Sequence, residues 1–176
     1  MTTFVALLRA VNVGGTGKLP MADLVAMAEN AGFECVRTYI ASGNLLFESR
    51  SSASEVKETL ERALAAYAGK PVGVMVRSAA EMAAVLSANP FPDAAPNRTL
   101  VTFLDARPPE DFLDHVVAPG GEEVRGGVRE IYVHYGAGMG TSKLRLPAAK
   151  AGTARNMNTV ARLVAMTADA RVRSGR

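Results

Sequence analysis

Cysteine, histidine and tryptophan are scarce in this sequence. Its 176 residues include one Cys, two His and no Trp. Because the lone Cys35 cannot form an internal disulfide, the fold must depend on a packed core, and a reducing cytosol is the expected compartment. Cys35, His115 and His134 lie far apart in the sequence and lack the close spacing of zinc ligands. We therefore expect no metal site and assign no cofactor.

Long apolar runs are also absent. No stretch approaches the roughly 18 apolar residues of a membrane span. The apolar start of the chain has no basic residue before it and is interrupted at Arg9, which argues against a signal peptide. With 48% hydrophobic and 21% charged residues, the composition excludes a disordered or collagen-like chain. We expect a globular cytoplasmic protein with no membrane partner, and the sequence leaves its oligomeric state open.

Positive charge is concentrated at the C-terminal end. The formal net charge is +3, but residues 141–176 contain eight basic residues against Asp169 alone. Residues 1–140 hold 12 basic and 16 acidic residues, so this larger part is mildly acidic. A basic segment of this kind can attract phosphate groups, nucleic acid or an acidic partner. The alternative is solvated surface charge, and no aromatic residue follows Tyr135 to stack on the bases of a single strand.

Hydrophobic periodicity predicts a βαββαβ order over residues 1–77. The nearly apolar residues 3–11 are typical of a central strand. Pro20 opens one helix, and a capping box of Ser52 and Glu55 opens another. The apolar stripe of this second helix consists of Val56, Leu60, Leu64 and Tyr67. The remaining strands are predicted at residues 36–40, 45–48 and 72–77. This order is the split βαβ, or ferredoxin-like, pattern.

A second, smaller α+β module is predicted over residues 78–140. Ser78 and Glu81 form a capping box for a helix, and Pro108 opens a short one. Strands are predicted at residues 99–104, 122–124 and 131–135. Residues 141–176 are predicted as a basic C-terminal helical segment, with a helix over residues 156–167. The expected fold class is therefore α+β: a ferredoxin-like N-terminal module packed with a smaller α+β module and C-terminal helices.

The predicted topology brings polar loops together at one end of the first sheet. The first and second strands run the same way with the third between them, so the first strand ends beside the turn at residues 41–44. Backbone N–H groups, a helix N-terminus and Lys18 would converge there, as in an anion site. The loop resembles a P-loop only faintly, because Leu19 follows Lys18 where a metal-binding hydroxyl is needed. The candidate ligand-binding residues at this end are Arg9, Asn12, Gly14, Gly15, Lys18, Ser42, Gly43 and Asn44.

A second polar cluster lies near the C-terminal end. Ser142 and Lys143 follow a glycine-rich stretch, and Arg155 lies among Asn and Thr residues ahead of the last helix. Under one interpretation these residues contact a phosphate. Under the other, they form an ordinary turn and a helix cap. The candidate ligand-binding residues here are Ser142, Lys143, Arg155, Asn156, Asn158 and Thr159, and no catalytic residue is assigned.

Several of these motifs resemble those of one protein family. The matching segments are Leu7-Leu8-Arg9-Ala10-Val11-Asn12-Val13-Gly14-Gly15, Lys18-Leu19-Pro20-Met21, Thr38-Tyr39-Ile40-Ala41-Ser42-Gly43-Asn44, Asn89-Pro90-Phe91 and Thr153-x-Arg155-Asn156-x-Asn158-Thr159. Together they resemble the bacterial proteins catalogued as domain of unknown function 1697, over nearly the whole chain. The resemblance implies a compact α+β protein with a ferredoxin-like N-terminal part and supplies no activity. Ala10 and Met157 stand where the family usually has Gly and Trp, which weakens a stacking role for the final helix.

Three functions are compatible with these residues. The first, our main hypothesis, is binding of a phosphate-bearing small molecule or nucleic acid at the glycine-rich sheet end and the basic C-terminal segment. The second is an enzyme acting on a phosphorylated or acyl small molecule, although the candidate residues include no evident general base. The third is a protein-interaction or self-association module that uses the free face of the first sheet.

Overall fold

The computed structural model describes residues 1–12, 18–136 and 138–174, with side chains up to Ala170. These residues form eight strands and four α-helices in two compact units. The first unit contains Met1–Ala83 and Leu163–Arg176, and the second contains Ala84–Arg162. Within the described part of the chain, no helix combines the length and the apolar character that crossing a membrane requires.

The secondary-structure elements have the following bounds. The strands are β1 (Thr2–Leu8), β2 (Glu34–Thr38), β3 (Asn44–Ser49), β4 (Val74–Ser78), β5 (Thr99–Phe103), β6 (Glu123–Gly126), β7 (Glu130–His134) and β8 (Thr153–Asn156). The α-helices are α1 (Met21–Asn30), α2 (Ala53–Ala68), α3 (Ala79–Ser87) and α4 (Met157–Ser174). Short 3-10 helices occur at Pro96–Arg98, Phe112–His115 and Pro147–Ala149.

The first sheet has the strand order β2-β3-β1-β4, and every neighbouring pair is antiparallel. Successive side chains of β1 point to opposite faces. Phe4 and Ala6 pack on one face against α1 and α2, while Val5 and Leu7 are buried on the other. Burial on both faces explains why β1 is a nearly continuous apolar run. The part of α4 from Leu163 onward belongs to this unit, where its Met166 carbonyl accepts a hydrogen bond from Arg37 (2.9 Å).

Reciprocal side-chain caps define two of the helix starts. Ser52 and Glu55 form the predicted capping box of α2, and Ser78 and Glu81 form the same pair of hydrogen bonds ahead of α3 (2.8 and 3.1 Å). Each box satisfies backbone N–H groups that a helix start leaves unpaired. The stripe of α2 is buried as predicted except at Tyr67, which is 48% exposed.

The second sheet has the order β6-β7-β5-β8, again antiparallel throughout. One face packs Val124, Ile131 and Val133 against Phe112 and the segment from Leu144 to Ala148. On the other side Tyr132 donates a hydrogen bond from its hydroxyl to the Val85 carbonyl of α3 (2.8 Å). Each face of this sheet therefore has a described partner within the unit.

Several predicted boundaries are wrong, and positive backbone φ angles explain two of them. β1 ends at Leu8 because Ala10 has φ +52°, and β2 ends before Ile40, where φ is +51°. Cys35, with φ +52°, lies at a bulge in β2 and is exposed. Strand β8 was not predicted at all, and it occupies four residues of the segment expected to be helical.

Candidate functional site

The end of β1 and the turn between β2 and β3 lie together, as the predicted topology requires. Leu8 donates a backbone hydrogen bond to the Gly43 carbonyl (2.9 Å). Asn12 donates from its side chain to the Ala41 carbonyl (2.7 Å). The predicted residues Gly14 and Gly15 lie outside the described residues. We call the region formed by residues 8–12, 18–19, 40–44 and 70–73 the sheet end.

Asn12 holds the sheet end together. Its Nδ2 also donates to the Leu19 carbonyl (2.9 Å), and its Oδ1 accepts from the Leu19 N–H (2.7 Å). These bonds close the two ends of the glycine-rich loop onto each other. Asn12 has φ +54°, a conformation that Asn tolerates better than most residues. The Asn12 side chain, which was predicted to bind a ligand, therefore joins the segment that follows β1 to Leu19 and Ala41.

Asn44 and Ser42 likewise hold the turn. Asn44 is fully buried, and its Nδ2 donates to the Tyr39 carbonyl and to Ser42 Oγ (both 3.0 Å). A buried amide needs such partners, because leaving it unpaired is costly. Arg9 is exposed, and its backbone N–H donates to the Gly73 carbonyl (2.9 Å). Gly43, with φ +80°, packs under Val11 and Leu8.

A cavity of about 220 Å³ opens beside this framework, and we call it the sheet-end cavity. Its apolar floor includes Val11, Leu64 and Val72, and its cationic side chains are Lys18 and Lys70. Lys18 was a predicted site residue, whereas Lys70 was missed. The predicted strand order could have located Lys70. Because β4 pairs antiparallel with β1, the segment that precedes β4 lies beside the end of β1.

Tyr67 forms part of the rim of the sheet-end cavity. Its hydroxyl donates to Asp23 Oδ2 (2.6 Å), and this hydrogen bond, with burial and the nearby negative charge, raises the pKa of Tyr67. The bond links α2 to α1, and it engages the Tyr67 hydroxyl proton in a hydrogen bond within the protein. Tyr67 therefore shapes the rim, and the two lysines supply its positive charge.

Ser142 contacts a carboxylate. Its hydroxyl donates to Glu122 Oε1 (2.6 Å), and the Gly120 N–H donates to Glu122 Oε2 (3.1 Å). The Ser142 hydrogen bond, assisted by backbone N–H donors, holds the pKa of Glu122 below its ordinary value. Lys143 is exposed and lines a cavity of about 240 Å³ together with these groups. A carboxylate in this position disfavours an anion.

Arg155 is buried, being 8% exposed on strand β8. Its Nη1 donates to Thr153 Oγ1 (2.6 Å) and to the Ala154 carbonyl (2.9 Å), and burial lowers the pKa of Arg155 to about 10. Asn156 caps α4 by accepting from the Thr159 N–H (2.9 Å). Thr159 is buried and Asn158 is exposed. This cluster therefore builds the β8–α4 junction and does not converge on one open site.

A larger cavity, of about 650 Å³, lies in the second unit, and we call it the second-sheet cavity. Leu100, Thr102, Val133 and Ala154 form its sheet side, and Arg145 and Lys150 bring positive charge. Sequence reasoning missed it because the wall includes strand β8. Among the described residues, no group of three His, Cys, Asp or Glu side chains is arranged to hold a metal ion.

Comparisons with known proteins identify a family. The chain is similar in structure to the conserved bacterial protein SP0830 from Streptococcus pneumoniae, with a TM-score of 0.77 and 24% sequence identity over 94% of this chain and 98% of that one. No curated protein sequence matches this chain significantly. The family model described as Protein of unknown function (DUF1697) matches residues 1–132. The chain therefore belongs to the DUF1697 family.

Proposed function

We propose that this protein binds a small phosphate-bearing anion in the sheet-end cavity. The observation that carries the proposal is that Lys18 and Lys70 line one cavity over an apolar floor. Ammonium groups beside low-dielectric walls attract an anion more strongly than the same groups in open water. No carboxylate is among the described residues that line this cavity, and the nearby Asp23 carboxylate accepts a hydrogen bond from Tyr67 at the rim.

The architecture around the cavity supports the same proposal. We infer that the first unit is a ferredoxin-like module, because its βαββαβ order and its strand order β2-β3-β1-β4 match that pattern. In addition, three non-glycine residues at the sheet end, Ala10, Asn12 and Ile40, have positive φ. Strained backbone of this kind collects at ligand sites, where surrounding hydrogen bonds maintain it.

The size of the cavity favours a small ligand over nucleic acid. About 220 Å³ is below the range of roughly 300–1,000 Å³ typical of drug-sized ligands, so a phosphate or pyrophosphate group fits best. The basic C-terminal segment is a weaker candidate for nucleic acid, because Arg155 is buried and uses its donors inside the protein. We place the ligand at the lysines of the first unit.

We propose binding rather than catalysis. Glu122 and Ser142 form a carboxylate–hydroxyl pair, but the lowered pKa of Glu122 makes it a poor general base. We keep the cytoplasm as the proposed compartment, because Cys35 is an exposed free thiol of the kind that a reducing environment preserves.

Isothermal titration calorimetry with inorganic pyrophosphate and AMP tests the proposal. We expect the double variant Lys18→Gln/Lys70→Gln to lose at least about tenfold in affinity, because each charge-assisted contact contributes about 1.5–3 kcal/mol. The matched control is Arg50→Gln/Arg62→Gln, which removes two exposed cations of the same unit outside the cavity and should bind like the wild type.

A parallel titration uses labelled single-stranded RNA and duplex DNA at low and moderate salt. Tight, salt-sensitive binding of either that survives loss of both lysines would replace the small-anion proposal with a nucleic-acid one. Equal pyrophosphate affinity in the lysine and arginine double variants would show that the sheet-end cavity is not the site.

A further inference from the structure

The second-sheet cavity is bounded on one side by a single face of the second sheet. Leu100 lies opposite Val133, and Thr102 lies opposite Ala154, in the register of the sheet. Directly opposed residues share a face, so these four side chains form one continuous wall. The cavity volume of about 650 Å³ falls within the range of roughly 300–1,000 Å³ typical of small-molecule sites.

The opposite wall is the segment from Leu144 to Lys150, and hydrogen bonds fix its position. Arg145 exchanges two backbone hydrogen bonds with Val117 (2.9 and 3.0 Å), which pins one end of the segment. The 3-10 helix Pro147–Ala149 forms the middle, and Leu144 and Leu146 pack against the core of the unit. The space between the two walls is therefore built by the fold.

The polar groups of this cavity suit an oxyanion. Arg145 and Lys150 line it, and no carboxylate is among its described lining residues. A guanidinium presents a planar fork of donors that matches carboxylate and phosphate oxygens. Tyr135 also lines the cavity, and burial, assisted by the charge of Glu122, raises the pKa of Tyr135. Its hydroxyl therefore stays protonated at neutral pH and can donate a hydrogen bond.

We propose that the second-sheet cavity binds an amphipathic organic anion, with its apolar body against Leu100, Val133 and Leu146 and its carboxylate or phosphate head at Arg145. Lys150 and Tyr135 supply further donors near the head. This site lies in a different unit from the sheet-end cavity. It takes a different ligand, because its volume of about 650 Å³ has room for an acyl or aryl body. It does not depend on the lysines of the first unit.

The probes are octanoate, octyl phosphate and 1-octanol, which share an apolar chain and differ in the head. Calorimetry should show that octanoate or octyl phosphate binds at least about tenfold more tightly than 1-octanol, and the better of the two identifies the preferred head. Arg145→Gln should abolish the preference for the anionic probe over 1-octanol. The control Arg107→Gln removes an exposed cation of the same unit outside the cavity and should leave the preference for the anionic probe unchanged.

A second variant tests the position of the site. Ala154→Trp fills the cavity from strand β8, and it should lose binding of the anionic probe while thermal unfolding shows that the fold is kept. Backbone amide shifts on octanoate addition should concentrate on β5, β7 and residues 144–150. Equal affinity for octanoate, octyl phosphate and 1-octanol, or wild-type binding by Ala154→Trp, would overturn the proposal. Binding that survives Lys18→Gln/Lys70→Gln separates this site from the sheet-end cavity.

Discussion

Gly43 occupies the tightest position at the sheet end. Its φ is +80°, and a Cβ at this position would lie 2.6 Å from Val11 Cγ2 and 2.8 Å from Leu8 Cβ. Gly43→Ala would combine left-handed backbone strain with overpacking against Val11 and Leu8. Because these costs are each about 1–3 kcal/mol, we expect a loss of about 3 kcal/mol in the free energy of unfolding, measured by urea denaturation.

Gly32 is the matched control for this substitution. Its φ is +86°, but no atom lies within 4 Å of the Cβ that Ala would add. Gly32→Ala should therefore cost only the backbone strain, about 1 kcal/mol. If the two alanine variants are equally stable, the close packing at Gly43 does not constrain the sheet end.

The sequence predicted where individual polar residues lie in the fold, but it did not predict whether each one binds a ligand or holds the fold together. The predicted topology correctly brought Asn12 close to the turn at residues 41–44. The sequence could not show that Asn12 bonds to Leu19 and Ala41, or that Asn44 is fully buried. A polar side chain serves a ligand or the fold according to which carbonyls surround it, and contacts with residues distant in sequence decide that.

At the scale of elements, local signals predicted helices better than short strands. Ser52 and Ser78 each cap a helix, α2 and α3, by exchanging hydrogen bonds with the Glu three residues later. Because this signal lies within four consecutive residues, the sequence alone predicts where these helices begin. Strand β8 has the sequence Thr-Ala-Arg-Asn, which by itself favours a turn or a cap. Its extended form comes from pairing with β5, about 50 residues earlier in the chain. The second-sheet cavity was unpredictable for the same reason.

Glu122 links the start of β6 to the segment at residues 142–144 and makes this link dependent on pH. Hydrogen bonds hold its folded-state pKa below the ordinary value, so folding favours the carboxylate. The stabilisation is complete above the unfolded pKa of about 4.3 and is lost as pH falls through the lower folded value. We expect wild type to be more stable than Glu122→Gln at pH 7, with the difference shrinking below about pH 4.

Urea denaturation at pH 7, 5, 4 and 3 measures this difference. Glu123→Gln is the control, because it removes the neighbouring exposed carboxylate. A gap between wild type and Glu122→Gln that stays constant down to pH 3 would contradict the assignment, as would an equal pH response in both variants.

At the scale of the whole molecule, the basic C-terminal segment is divided between the two units. Lys143, Arg145 and Lys150 belong to the second unit, and α4 passes from the second unit into the first at Leu163. Buried Arg155 further breaks the run of charge. A charge count along the sequence treated this segment as one surface, and only the tertiary structure shows that its cations lie in two units and that Arg155 is buried.

The discontinuous first unit leads to a prediction about its C-terminal part. Leu163, Thr167 and Ala170 are buried, and Arg37 of β2 bonds to the Met166 carbonyl. Truncation after Arg162 removes this part, although Met1–Ala83 retains the whole first sheet. Because burial of one Leu or Val side chain contributes about 1.5–3 kcal/mol, we expect a loss of at least about 3 kcal/mol in the free energy of unfolding.

The measurement is urea denaturation together with binding of a hydrophobic dye. Dye binding should rise, because the truncation exposes the apolar surface against which Leu163 and Ala170 are buried. Asp169→Ala in the untruncated chain is the control, because it changes an exposed residue of the same helix and should alter stability by less than about 0.5 kcal/mol. A truncated protein as stable as the control would mean that the first sheet folds independently of the part of α4 that follows Arg162.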